Sequence, residues 1–181
     1  PRIDLDHLSN QDADIKHAVD SIRKYGLDIT LVSMATDFNV YAIAGILKDP
    51  TGKAPGVGVA ASADTDLKKA VLDTLAETIT TRKLARSLRR KVDPKDPSTI
   101  DHMGRLVYWS LPEQYSKIDF FLEGETKKFE IGNTNQDFSF KRDLLQKEFA
   151  ENNEAVYYTR IDRRLNDGAG TLAVHVIAPN L

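Results

Sequence analysis

From Asp64 to about Arg90 runs the longest helical pattern in the chain, with no proline and no glycine inside it. A helix of that length organises whatever surrounds it. Asp64 stands where an N-cap is expected, and basic residues crowd the last turns, where they oppose the helix dipole. Helical spacing lines up Leu67, Val71, Leu75 and Ile79 as an apolar face. Glu77 falls on the neighbouring stripe with Ala70, Leu84 and Leu88, at the border of that face, so its carboxylate is expected to be partly desolvated.

The segments on either side of this helix read as groups of strands and helices. Asp12 to Tyr25 repeats Ile15, Ala18, Val19 and Ile22 at helical spacing before Gly26 offers a left-handed stop. Residues 28–34 and 40–47 are dense in β-branched and aromatic side chains and read as paired strands about a connector at Asp37-Phe38-Asn39. A turn-rich loop over 48–56 leads to a third strand, Val57 to Ala61. After the long helix, the proline-containing stretch 92–98 predicts a surface loop or a subdomain hinge.

Helices are then expected around 100–110, 113–123 and 141–152, with a polar loop over 125–135. Two closing strands, 155–161 and 171–177, meet at an Asn166-Asp167-Gly168 turn. Strands grouped between helices, rather than alternating with them, predict an α+β fold with mixed or antiparallel sheets and packed helices.

The 181 residues carry 25 lysines and arginines against 27 aspartates and glutamates, a net charge of −2, which argues against a generic nucleic-acid binder. A hydrophobic fraction of 41% is enough for an ordinary core. With no cysteine, a disulfide scaffold, a thiolate zinc site and a cysteine nucleophile are all excluded. No window approaches the roughly 20 apolar residues of a bilayer span, and the first residues hold no signal-peptide core, so a cytoplasmic protein is expected and no membrane partner. The start at Pro1 reads as a processed product or a piece of a longer polypeptide.

Among residues that could carry chemistry, Glu77 stands first. It is either a boundary glutamate with its stem along the apolar face or a magnesium or phosphate-site ligand, since a hard cation takes carboxylate oxygens. Pro55-Gly56-Val57-Gly58-Val59 lacks the ending of a P-loop and the third glycine of the dinucleotide fingerprint. The four histidines are scattered, none at the spacing of a helical metal pair, and Asp101-His102 reads as a surface pair or cap. The basic run from Arg82 to Lys91 is either a solvated face or a contact to nucleotide phosphates or an acidic peptide.

In order, the segments Gly26-Leu27-Asp28-Ile29-Thr30, Gly56 to Asp64, Leu67 to Glu77, Asp101-His102, Tyr108, Leu111-Pro112-Glu113, Phe121-Leu122 and Val174 to Leu181 resemble the second half of a YcaO-type domain, and within it the SagD-like branch that forms thiazoles and oxazoles in peptides. The resemblance covers most of the chain and implies that it is the C-terminal portion of such a domain. It implies ATP-dependent cyclodehydration of peptide amides, as in bacteriocin biosynthesis, with ATP and magnesium as cofactors. A precursor peptide is the implied substrate, and a protein related to ubiquitin-activating enzymes the implied partner.

By position, Glu77 matches the family's helix glutamate, which holds magnesium near ATP. Thr80, Thr81 and Arg82, on the next turn, become candidates for phosphate-side contacts. The family usually has Gln or Glu there, and neither its upstream serine and Glu-x-x-Glu-Arg motif nor its proline-rich tail is among these residues. The Thr80-Thr81 departure leaves open a degenerate module that binds a peptide or partner protein without turning over ATP. Exposed strand edges could also pair two copies into a homodimer.

Overall fold

The computed structural model describes residues 1–91, 101–132, 137–152, 155, 157–164 and 170–177. The chain divides into two compact units, Pro1–Asn135 and Gln136–Leu181. The first is built on a five-stranded sheet in the order β4-β3-β2-β1-β5. Its strands are β1 (Arg2–Ile3), β2 (Asp28–Ser33), β3 (Tyr41–Lys48), β4 (Val57–Asp64) and β5 (Thr126–Lys127). β1 and β5 run parallel and the other neighbours antiparallel, which makes the sheet mixed.

One face of the sheet is covered by α1 (Leu5–Gln11), α2 (Ala13–Lys24) and α3 (Leu67–Leu88). Asp12 caps α2, accepting hydrogen bonds from the Asp14 and Ile15 amides, and Gly26 ends the segment at φ +69°. Leu31, Ile43 and Leu47 from the sheet meet Leu8, Ile15, Val19, Val71 and Leu75 from the helices in one buried cluster. Each such side chain contributes about 1.5–3 kcal/mol when fully removed from water. Lys68, at the start of α3, bridges Asp12 and Asp14 at 2.7 Å each and so fastens α3 to the start of α2. Burial works against the charge on Asp12, yet hydrogen bonds from Lys68 and the Ile15 amide hold its pKa below the usual aspartate value.

At the β4 end, the opposite face is covered by α4 (His102–Trp109) and α5 (Tyr115–Ile118), with a 3₁₀ turn on each side of α5 at Pro112–Gln114 and Asp119–Leu122. Ile118 packs there on Ile46 and Val57, with Val32, Tyr115 and Leu122 around them. Asp101 caps α4 by accepting from the Gly104 amide, which settles its role as a cap. The second unit holds α6 (Phe138–Glu151), capped by Asp137, and an antiparallel pair of β6 (Tyr157–Arg164) and β7 (Gly170–Ile177).

The α+β expectation therefore holds, with several local differences. The sequence reading has no counterpart for β1, α1 or β5; the first and last are two-residue strands, too short to show a period. The 113–123 helix is broken into 3₁₀ and α turns. The N-cap of the long helix is Asp66, which accepts from the Lys69 amide at 3.2 Å, and not Asp64. Pairing of β4 with β3 continues to Asp64 opposite Tyr41, so the helix can begin only after the next turn. The 92–98 break, the Asn166-Asp167-Gly168 turn and the final four residues lie outside the described residues.

Candidate functional site

The face that α3 turns to the sheet keeps Leu67, Val71 and Leu75 of the expected apolar stripe and adds small groups in place of Ile79. Its buried residues are Leu67, Ala70, Val71, Thr74, Leu75, Thr78 and Ala85, while Ile79 is 36% exposed. Thr74 and Thr78 can be buried because each hydroxyl donates to the carbonyl one turn back, Thr74 to Ala70 at 2.7 Å and Thr78 to Thr74 at 2.6 Å. Opposite them lie Gly45 on β3 and Gly58 on β4. A Cβ at Gly45 would stand 2.8 Å from Thr74 Cγ2, and one at Gly58 would stand 2.9 Å from the Thr78 carbonyl oxygen. Glycine at both positions lets the helix backbone settle against the strands.

This packing corrects the expectation for Glu77, which is exposed and not partly desolvated. Its side chain has no hydrogen bond or ion pair among the described residues. Thr80 is also exposed, and its hydroxyl donates to the Ala76 carbonyl at 2.9 Å. Arg82 faces the β3–β4 loop, where its guanidinium pairs with Asp49 at 2.8 Å and donates to the Pro55 carbonyl at 3.1 Å. Farther along the basic run, Arg89 donates to the Ala54 carbonyl at 2.8 Å, while Lys83, Arg86 and Arg90 are exposed. Two members of this run thus clamp a loop from the side of the helix.

Thr81, one turn beyond Glu77 on the same stripe, is half-buried and lines a cavity of about 590 Å³. Val57 and Val59 of β4 form one wall with it, and Trp109, Phe120 and Phe121 the other. Lys117 reaches over the rings of Tyr108 and Trp109, 5.4 and 5.7 Å from their centroids, and donates to the Tyr108 hydroxyl. Arg105 completes the rim, with no side-chain partner among the described residues. Of the four residues singled out from the sequence, then, Thr81 lines the cavity, Glu77 presents an unpaired carboxylate, and Thr80 and Arg82 are engaged with the protein itself. Sequence spacing does not reveal the cavity, because its aromatic wall joins Trp109 to Phe120-Phe121 across two separate elements.

Magnesium usually keeps several waters and takes one or two carboxylates along with substrate phosphates. One exposed, unpaired carboxylate such as Glu77 fits one of those positions. Among the described residues, no group of three or more His, Asp or Glu stands close enough to hold a metal alone.

A family model described as YcaO cyclodehydratase, ATP- and Mg2+-binding, matches residues 1–181. The chain belongs to the YcaO family. Solved structures agree on the fold. A heterocyclase in complex with substrate and cofactor superposes with a TM-score of 0.64 at 16% identity, over 97% of this chain and 23% of that one. The E. coli microcin synthetase McbBCD complex with pro-MccB17 bound gives 0.60 at 15% identity, over 91% of this chain and 41% of that one. The chain thus spans less than half the length of either of these chains. No curated protein matches it in sequence. No helix among the described residues is long and apolar enough to cross a membrane.

Proposed function

We propose that the chain is the C-terminal portion of a cytoplasmic YcaO-type enzyme for ATP-dependent cyclodehydration of peptide amides, of the kind that forms thiazolines and oxazolines in bacteriocin biosynthesis. In that reaction a peptide side chain attacks the preceding carbonyl, the resulting oxyanion takes a phosphoryl group, and loss of phosphate leaves the azoline. Glu77 is the residue assigned to magnesium and, through it, to ATP. The observation that carries the reading is its unpaired carboxylate on the outward stripe of α3, in a chain whose whole length matches an ATP- and Mg2+-binding family. A precursor peptide is the proposed substrate, presented by a partner related to ubiquitin-activating enzymes.

The chemistry assigned to magnesium ATP is activation of the amide oxygen as a leaving group. Glu77 supplies a fixed anionic oxygen donor, and Thr81, one turn on, a hydroxyl that can donate to an anionic oxygen. Calorimetric titration of magnesium ATP into the full-length protein and its Glu77→Ala variant is the test. At least a tenfold loss of affinity is expected; equal affinities would remove Glu77 from the site.

A non-catalytic module that binds a peptide or partner is the second reading, and the placement of Thr80 and Arg82 favours it. Both spend their polar groups on the protein itself, Thr80 on its own helix and Arg82 on the β3–β4 loop. Phosphate release by the intact protein with a matching precursor peptide separates the two: peptide-dependent release ends the scaffold reading, and none ends the catalytic one.

A further inference from the structure

The cavity between β4 and the α4–α5 layer has a composition that its neighbour Glu77 does not share. Its aromatic wall is solvent-facing, with Trp109 46% exposed and Phe120 61% exposed. Such apolar surface in a concave setting marks a place where another apolar group is received. Both charged residues of the lining, Arg105 and Lys117, are cations, and neither has a carboxylate partner among the described residues. The Lys117 ammonium rests on two aromatic rings instead. The uncharged polar side chains of the lining are Thr81 and Ser110, and the Ser110 hydroxyl already donates to the Val107 carbonyl at 2.7 Å.

A lining of this kind offers little to read the edge of a nucleotide base, which needs paired donors and acceptors. It suits a large apolar side chain that arrives with a negative charge beside it.

We propose that this cavity docks a peptide segment in which a bulky apolar side chain lies next to a carboxylate. The side chain enters between Val59 and the Trp109–Phe120 wall, and the carboxylate meets Arg105 and Lys117. Thr81 joins the cavity to the stripe that carries Glu77, so a peptide held here lies along the flank of α3. Identifying that peptide as substrate rests on the cyclodehydratase reading; the docking chemistry does not.

Trp109 is the single tryptophan of the chain, so its emission reports occupancy directly. The full chain is titrated with a blocked peptide carrying phenylalanine between two glutamates. Two counterparts serve as controls, one with lysines for the glutamates and one with alanine for the phenylalanine. A saturable change in emission is expected with the first peptide and at least tenfold weaker binding with each counterpart. Arg105→Gln is expected to weaken the acidic peptide about tenfold and leave the lysine peptide unchanged. Equal binding of all three, or binding of none, overturns the proposal, and the wild-type comparison decides it even if the variant does not fold.

Displacement of the peptide by magnesium ATP that itself saturates the Trp109 signal also overturns it, by giving the cavity to the nucleotide. Glu77→Ala separates the two assignments. Unchanged nucleotide affinity in that variant, with peptide binding intact, sinks the ATP role and leaves the pocket standing. A silent Trp109 alongside Glu77-dependent nucleotide binding sinks the pocket alone.

Discussion

Asp49 joins three segments that are far apart in the chain. Its Oδ1 accepts the Thr51 amide and hydroxyl at 3.0 and 2.6 Å, its Oδ2 pairs with Arg82, and its own carbonyl accepts the Tyr115 hydroxyl at 2.7 Å. The Thr51 hydroxyl, then its amide and the Arg82 charge, outweigh desolvation and hold the Asp49 carboxyl below its ordinary 3.8. Asp49→Ala removes the loop's bonds to Thr51 and leaves Arg82 uncompensated at 21% exposure, so a loss of about 2 kcal/mol is expected in urea unfolding at pH 7. Because the folded pKa is depressed, the stabilisation is present above the unfolded value and is lost as the pH falls through the folded one. Between pH 5 and pH 3, Asp49→Asn should therefore lose less stability than the parent protein; parallel losses would remove Asp49 as a source of the acid sensitivity. Nothing in the sequence marks this aspartate, because its partners Arg82 and Tyr115 come from other elements. Glu77, in contrast, was visible by its spacing, while its exposure was not, since that depends on which side of α3 the sheet takes.

At the scale of the element, α3 shows why the face that packs keeps Leu67, Val71 and Leu75 of the expected stripe but not Ile79. Counting apolar residues treats threonine as polar, but a threonine bonded back to its own helix presents mainly its methyl group. Thr74 and Thr78 therefore sit at the centre of the contact, and Ile79 is left at its margin. Gly58→Ala should destabilise by about 1–3 kcal/mol, since the added methyl meets helix backbone that cannot yield. Ile79→Lys should change stability by less than about 0.5 kcal/mol. Thermal unfolding of the two variants checks the assignment of faces, and the reverse order of effects would refute it. The cap gives a second check at the other end of the strand–helix junction: Asp66→Ala should cost about 1 kcal/mol through the lost bond to Lys69.

For the whole molecule, fold class and the order of the larger elements were legible because their periods extend over many residues. The strands at 28–33, 41–48 and 57–64 and the helices at 13–24 and 67–88 all stand within a few residues of their expected places. What was not legible is long-range: β1 is a strand because it lies between β2 and β5, and β5 because it lies beside β1, with Arg2 opposite both Val32 and Thr126. The expected strand edge is β4, whose one partner among the described residues is β3. The Val57 amide at the start of that edge donates to the Ser110 carbonyl, and the edge beyond it favours pairing between copies. Sedimentation over a hundredfold range of concentration is expected to show a dimer that Ala61→Lys weakens, and a monomer throughout would exclude edge pairing.

The glycine–threonine seam under α3 has a bearing on how such a domain can diversify. Along the seam, side-chain volume is fixed on both sides, so substitutions there are filtered by the fold. Glu77 and Thr80, on the outward side, bear no such load. A lineage can therefore exchange side chains on that surface while the scaffold beneath keeps its shape.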